Sequence, residues 1–583
     1  MQAETIVTNA KVLTMDPERP RAEAVAMAGG RILAVGSAAE VGALAGPQTR
    51  VIDAGGRSLL PGFVESHLHL VLGGNELTQL QLGGVEGFEA LRSAFVAYAA
   101  DNPGLPLVMA QGAAYEVLEH PVTRQDLDAV IADRPIAMMS PDHHTVWANT
   151  AALRAAGLLQ GAEMPAGHVV VMGADGTATG ELREFEAFSP VLALSGDLHL
   201  QLGIATGGEP EPWPTAGQRA KDKEKVVAGL AHCAAHGITS MVNMDGNRYT
   251  CVLLRELEAE GRLTARVVVP FHMKPHMDLS ELERASAMAA EFTGDWVRSG
   301  FVKMFMDGVV DSRTAYMLQD YPGTTERATP LFPPDRFDAI CTEIDRRGLQ
   351  IAVHAIGDGA VRQTIDGYEA AQKANGRRDS RHRIEHIELI DRADIPRLGA
   401  LGITASVQPP HPPGAMDFPM STMETVFHRD RWRDAYLTRT LADAGAALAF
   451  ASDWPVTDVS VMRGIQAALT RQPFAGAADE RMPRAEVLRA YTAGGAWAAH
   501  LEDLTGTLRP GLAADLVLID GDIESIPAGG IGATGIALTV CGGRITHQTP
   551  DSLELSTDSR PAAAEVAGRA GAQGQENACF HGV

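Results

Sequence analysis

Apolar residues along this chain fall into two rhythms. From about residue 232 to 504, short apolar runs alternate with amphipathic stretches, and GITSMVNM, RVVVPFHM, FVKMFMDG, LQIAVHAIG, RIEHIELI, GITASVQP and AALAFASD read as strands. Between them lie helical patterns such as PPDRFDAICTEIDRRG, opened by Pro334 and closed by Gly348, and DGAVRQTIDGYEAAQKANG, closed by Gly376. Seven such strands, joined to the earlier run PGFVESHLHL, make the eight of a (β/α)8 TIM barrel of the α/β class.

The second rhythm belongs to the chain ends. The first sixty residues carry shorter β-rich runs, TIVTNAKVLTM, AEAVAMAGGRILAVG and TRVIDAGGRSLLP, broken by glycine pairs. A matching pattern returns in GTLRPGLAADLVLIDGD and TGIALTVCGGRITHQ, so residues 1–60 and 505–549 are expected to build one composite β-domain. The barrel then takes residues 61–75 and 226–504. That leaves 76–225 as an inserted subdomain above the barrel mouth, where insertions shape a pocket. Residues 550–583, rich in Ala, Gly, Ser and Gln, read as a flexible tail, and Cys579 with His581 at its end makes a poor metal clip.

Composition narrows the partners. At 583 residues and 45% hydrophobic content the chain exceeds one average domain, which suits a large core with appended units. It has no apolar stretch long enough to span a bilayer, and its start, MQAETIVTNAKVLTMD, lacks a basic region followed by an apolar one. A cytoplasmic location is the default. A net charge of -24 argues against nucleic acid or an anionic membrane as partner, because phosphate binding needs clustered Lys and Arg; a small anionic substrate is still allowed. Five cysteines, odd in number, widely spaced and without a CxxC, argue against a disulfide framework or a thiolate zinc site.

Candidate chemistry sits at the strand ends. His67 and His69 are two apart on a strand and project to one face, the start of a zinc-type site. His354 in IAVHAIGD and His386 in HRIEHIEL, each taken alone, read first as a hydrogen-bonded core histidine. Asp453 after ALAFAS differs, because a carboxylate there is costly unless paired or bound to a cation. Five such residues in barrel order point to one metal centre. Lys303 in FVKMFMDG is either a buried lysine paired with an acid such as Asp307 or the carrier of a CO2-derived carbamate able to bridge two cations.

HxH, VKxFxDG, HAIGD, HRIEH and SDWP, with GLAADLVLID near the end, resemble the metal-dependent amidohydrolase superfamily, YtcJ-like branch (amidohydrolase family 3), over nearly the whole chain up to about residue 545. The resemblance implies a composite β-sandwich beside the barrel. It also implies a divalent centre, Zn first among the candidates and one or two ions per chain, held by His67, His69, Lys303, His354, His386 and Asp453. Lys303 would be N6-carboxylated. His144 and Trp147 in DHHTVWANTAAL, Asp307 and Arg313 in DGVVDSRTA, and Trp454 in SDWP match pocket or loop-anchoring positions, and His144 with Trp147 is expected to face the metal. Glu65 stands where the branch often has Asp, and AQGAAYE replaces a Gly/Trp-rich turn, so no relative's substrate carries over.

The expected reaction is hydrolysis of an amide-type C–N bond, N-acyl, N-formyl or cyclic, in a small molecule by a metal-activated water, with Asp453 as the catalytic proton carrier. Two other readings compete: a mononuclear deaminase of the same superfamily, favoured if Lys303 is an ordinary amine, and a non-catalytic regulatory protein. A homodimer is left open.

Overall fold

A computed structural model describes residues 2–141, 143–165, 168–550 and 555–556. Its centre is an eight-stranded parallel sheet. We number these strands β1 (Phe63–Leu68), β2 (Ile238–Asn243), β3 (Arg266–His272), β4 (Val297–Phe305), β5 (Gln350–Ala355), β6 (Arg383–His386), β7 (Thr404–Val407) and β8 (Ala447–Phe450). Neighbours in this order pair side by side from β1 to β8. The two ends of the sheet are strapped together where the Asp453 N–H donates to the His67 carbonyl at 2.9 Å and the His69 N–H to the Trp454 carbonyl at 2.7 Å. This is the (β/α)8 barrel read from the apolar rhythm.

The strands are apolar on both faces because both faces are covered, as parallel sheets require. β1, β2, β3, β5, β6 and β7 are buried along their whole length. Helices Pro334–Arg346 and Asp358–Asn375 flank β5, the first opened by Pro334 and the second followed by Gly376 at φ 83°, a left-handed backbone that suits glycine.

Both chain ends enter a sandwich. One sheet holds Thr5–Thr8, Ala24–Ala28, Arg31–Gly36, Arg50–Asp53 and Leu555–Ser556; the other holds Lys11–Leu13, Arg21–Ala22, Ser58–Pro61, Leu516–Ile519, Ile536–Cys541 and Arg544–Gln548. Val7, Val25 and Ile52 of the first meet Val12, Leu59, Leu516 and Leu538 of the second in one core. Leu555–Ser556 pairs antiparallel with Arg50–Asp53, so the segment read as a tail includes one more strand. Cys579 and His581 lie outside the described residues.

Between β1 and β2 the chain forms a third, six-stranded sheet from Leu80–Gln81, Val108–Gln111, Ile136–Met139, Thr145–Ala148, Val169–Met172 and Ala178–Arg183. It has separate apolar clusters on its faces. This unit departs from the C-terminal end of β1 through helix α1 (Leu70–Glu76), where Glu76 Oε1 lies 2.8 Å from His143 Nε2 of the insertion. Among the described residues, Cys233, Cys251, Cys341 and Cys541 are buried and free, and no helix is long and apolar enough to cross a membrane.

Candidate metal centre

At the mouth of the barrel β1 delivers two imidazoles and the β8 loop one carboxylate. His67 Nε2 lies 3.2 Å and His69 Nε2 3.3 Å from the same atom, Asp453 Oδ1. The opposite nitrogens are already engaged. His67 Nδ1 is 2.7 Å from Glu385 Oε2, and His69 Nδ1 is 2.7 Å from Asp245 Oδ1. An imidazole whose Nδ1–H donates to a carboxylate presents a lone pair at Nε2. With both rings neutral, both lone pairs point at an anionic oxygen, an arrangement that repels unless a proton or a metal cation stands among the three atoms.

The surroundings raise that demand for positive charge. Asp453 is buried, which alone would favour its neutral acid, yet the rings of His67 and His69 hold its carboxyl well below the usual range. With no cation present, burial works against protonation of His69, but the hydrogen bonds its ring donates to Asp245 and Asp453 prevail and lift it to about 9. Burial would likewise raise Glu385, and the Arg383 guanidinium and His67 overcome it, keeping the carboxylate charged. Arg383 is itself wholly buried and donates to both Glu385 oxygens, the Ser66 carbonyl and Ser406 Oγ. The donor set and its charge fit a divalent cation.

Asp245 has a second role that fixes the local chain. Its Oδ2 accepts from the Val71 and Leu72 N–H groups while Asn243 Oδ1 accepts from Leu70 N–H, so the end of β2 caps helix α1 just after His69. One carboxylate thus orients the imidazole and starts the helix that follows it.

The remaining expected ligands gather beside this pair. The rings of His67 and His386 are 4.9 Å apart and those of His386 and His354 4.5 Å apart. His386 Nδ1 lies 3.0 Å from Gln408 Oε1, which leaves Nε2 as its free atom; His354 Nε2 lies 3.1 Å from the Gly308 carbonyl, which leaves Nδ1. His386 and Asp453 have left-handed backbones at φ 78° and 62°, a strain that clusters at functional sites. At His386 it also breaks strand alternation, so Glu385 and His386, adjacent in sequence, both reach His67. Lys303 is 1% exposed, its Nζ has no hydrogen-bond partner, and burial lowers it to about 8.

Sequence reasoning did not find His411. It follows β7, stacks on His386 with rings 5.9 Å apart and 7° from parallel, and places Nε2 3.8 Å from Asp453 Oδ2. His386, His411 and Asp453 form a second group of ligand atoms within 4.8 Å of one another, besides His67, His69 and Asp453. The only local signal was a lone histidine among prolines, which no spacing rule marks. Glu385 and Asp245 were equally invisible, since each meets its histidine across a long stretch of chain.

Several expected pocket residues have other work. Trp147 is buried in the core of the insertion, edge-on to Tyr115 at 5.2 Å. Trp454 packs against Gly73 of α1 and the ring of His232, 5.3 Å away. His144 is half-buried with Nδ1 2.9 Å from Glu184 Oε2, inside the insertion. Asp307 accepts backbone N–H groups from Tyr316, Ile356 and Gly357, which makes it an anchor for the loop after β4. Arg313 lies exposed on that loop at φ 59°.

Comparison with known proteins places this geometry in context. A model described as the amidohydrolase family matches residues 50–547. The putative amidohydrolase YtcJ of Bacillus subtilis (strain 168) is 28% identical over 555 residues, covering 92% of this chain and 98% of its own length. The N-substituted formamide deformylase of Arthrobacter pascens is 23% identical over 565 residues, covering 94% and 99%. An uncharacterized metal-dependent hydrolase from Pyrococcus horikoshii OT3 shares the fold with a TM-score of 0.70 and 23% identity, over 90% of this chain and 99% of that one.

Proposed function

The chain belongs to the amidohydrolase family, and from that premise we propose that it is a metal-dependent hydrolase that cleaves an amide-type C–N bond, N-acyl, N-formyl or cyclic, in a small molecule. The observation that carries this reading is the convergence of His67 Nε2 and His69 Nε2 on Asp453 Oδ1 with both Nδ1 atoms held by carboxylates. The formamide deformylase relative supports the choice of bond.

In this reading His67, His69 and Asp453 hold one ion, Zn first among the candidates, and His354, His386 and a carboxylated Lys303 hold a second. A bound divalent cation supplies acidification of a water and polarisation of a carbonyl. The protein's own groups do the rest. Glu385 and Asp245 fix the tautomers of His67 and His69. Asp453 Oδ2, 3.8 Å from His411 and 3.9 Å from His386, is the base that takes the proton of the attacking water and returns it to the leaving nitrogen. The rings of His386 and His411 beside that oxygen are buried. The buried, unpartnered Lys303 Nζ supports carboxylation, because CO2 adds to a neutral amine.

Metal analysis of the purified protein together with turnover of a panel of N-formyl, N-acyl and cyclic amides tests the reading. Metal near two equivalents with amide turnover is expected. One ion with ammonia-releasing turnover of aminopurines would favour the deaminase alternative, and neither metal nor turnover a regulatory protein.

A further inference from the structure

Helix α1 meets the inserted sheet across a narrow cleft of about 390 Å3, its open mouth included. Leu72, Asn75 and Glu76 are spaced three and four apart, so they share one face of α1 and line this cleft, while Gly73 and Gly74 on the other face press against Trp454 and the Lys225 carbonyl. The sheet contributes Met109 and Gln111 of one strand and Met139 of the next. Asn75 comes six residues after His69, about 9 Å along the helix from that ligand.

Two buried acceptors of this cleft are unused. Asn75 and Gln111 are each 6% exposed, and Asn75 Oδ1 and Gln111 Oε1 have no hydrogen-bond partner. Gln111 Nε2 donates to Gln79 Oε1 at 2.7 Å, which settles which end of that amide is left over. Beside them stands the carboxylate of Glu76, equally buried, with Oε1 2.8 Å from His143 Nε2; no lysine or arginine among the described residues pairs with it. Ser195 on the opposite wall donates its hydroxyl to the Leu192 carbonyl instead. A carbonyl oxygen buried without a donor is costly. Two such oxygens and a carboxylate, set among leucine and methionine side chains, call for a ligand that brings N–H donors and positive charge on an apolar stem.

We propose that this cleft binds a small alkylammonium group, with its N–H donors on Gln111 Oε1, Asn75 Oδ1 and the Glu76 carboxylate and its hydrocarbon stem on Leu72, Met109 and Met139. Hydrogen bonds from a charged donor are the strong ones, and a net charge of -24 concentrates organic cations around the protein. A bare alkali cation would use the oxygens and leave the apolar wall uncovered. A neutral alcohol would use the wall and leave the carboxylate without a counter-charge. Under the hydrolytic reading the amine has two sources, the remote end of the amide being cleaved or a free amine such as its product, and both present the same ammonium.

The test is isothermal titration of the whole zinc-loaded protein at pH 7 and one ionic strength with n-butylammonium chloride, potassium chloride and n-butanol. Saturable binding of n-butylammonium is expected, with the other two probes weaker by roughly tenfold or more. Gln111→Met and Asn75→Leu, which remove one acceptor each, should weaken n-butylammonium roughly ten- to hundredfold, the effect of one hydrogen bond to a charged group. Gln111→Glu keeps the acceptor and adds charge, and should bind it roughly tenfold tighter. Potassium or n-butanol as tight as n-butylammonium overturns the proposal, as does the absence of saturable binding or binding that both apolar variants leave unchanged, the result for a cleft that holds water only. If neither apolar variant folds, Gln111→Glu decides alone: tighter binding supports the site, unchanged or weaker binding overturns it. In turnover, n-butylammonium that competes with the amide marks the seat of the substrate's remote end, and an effect without competition marks a site for a separate amine. Binding by a protein that hydrolyses no amide leaves this site standing and overturns the hydrolytic reading instead.

Discussion

Glu385 Oε2 lies 2.7 Å from His67 Nδ1. Behind it Arg383 donates to both Glu385 oxygens, so the carboxylate that fixes the histidine is itself fixed. Glu385→Gln should therefore weaken metal binding roughly ten- to hundredfold, the usual effect of losing a partner behind a metal ligand. It should also cost about 3 kcal/mol of stability, because Arg383 is left as a buried unpaired charge. Asp245→Asn should weaken metal binding similarly with a smaller stability loss, since no buried arginine depends on it. Chelator competition and urea unfolding read the two effects separately.

Lys303→Ala should leave protein with about one metal per chain. The lost transition-state stabilisation, several kcal/mol for a catalytic ion, corresponds to a fall in kcat/KM of roughly a hundredfold or more on any amide that wild type hydrolyses. A variant with two metals and wild-type rate would remove the bridging role of Lys303.

Glu65 carries a pH dependence that can be assigned a sign. Burial is the largest influence and raises its carboxyl to about 8, against the opposing hydrogen bond from the Ser452 N–H at 2.6 Å. A folded value above the ordinary one means that the protonated form stabilises the fold: the contribution is fully present below about 4.5 and is lost as pH rises through about 8, at up to about 1.4 kcal/mol per pH unit. Glu65→Gln imitates the neutral acid. Its melting temperature should fall less than that of wild type between pH 5 and pH 8, and parallel curves would refute the assignment.

Gly73 is held to glycine by the indole behind Asp453. A Cβ at Gly73 would come within 2.5 Å of the Trp454 ring, with two further ring carbons at 2.6 and 2.7 Å. Gly73→Ala should cost about 1–3 kcal/mol, the range for overpacking a filled site. Because Trp454 and Asp453 form the strap that closes β8 onto β1, zinc affinity should fall with it, measured by chelator competition at a temperature where both proteins are folded.

The barrel and the residues that end its strands were legible in the chain, for a local reason. Apolar runs separated by amphipathic ones report burial on two faces, and His67 with His69 shares a face because strand side chains alternate, a rule that needs no knowledge of the rest of the fold. What the tertiary structure decided is which atoms are free. Glu385 on β6 meets His67 across 318 residues and Asp245 after β2 meets His69 across 176, and these contacts, brought together only by the folded barrel, turn each Nε2 toward Asp453. The left-handed backbone at His386 swings that ring inward against the alternation a sequence reader would apply. Where Trp454 and Trp147 pack, against Gly73 and in the core of the insertion, was also decided by the fold, because a large indole goes where apolar surface awaits cover, and that surface exists only after the chain has folded.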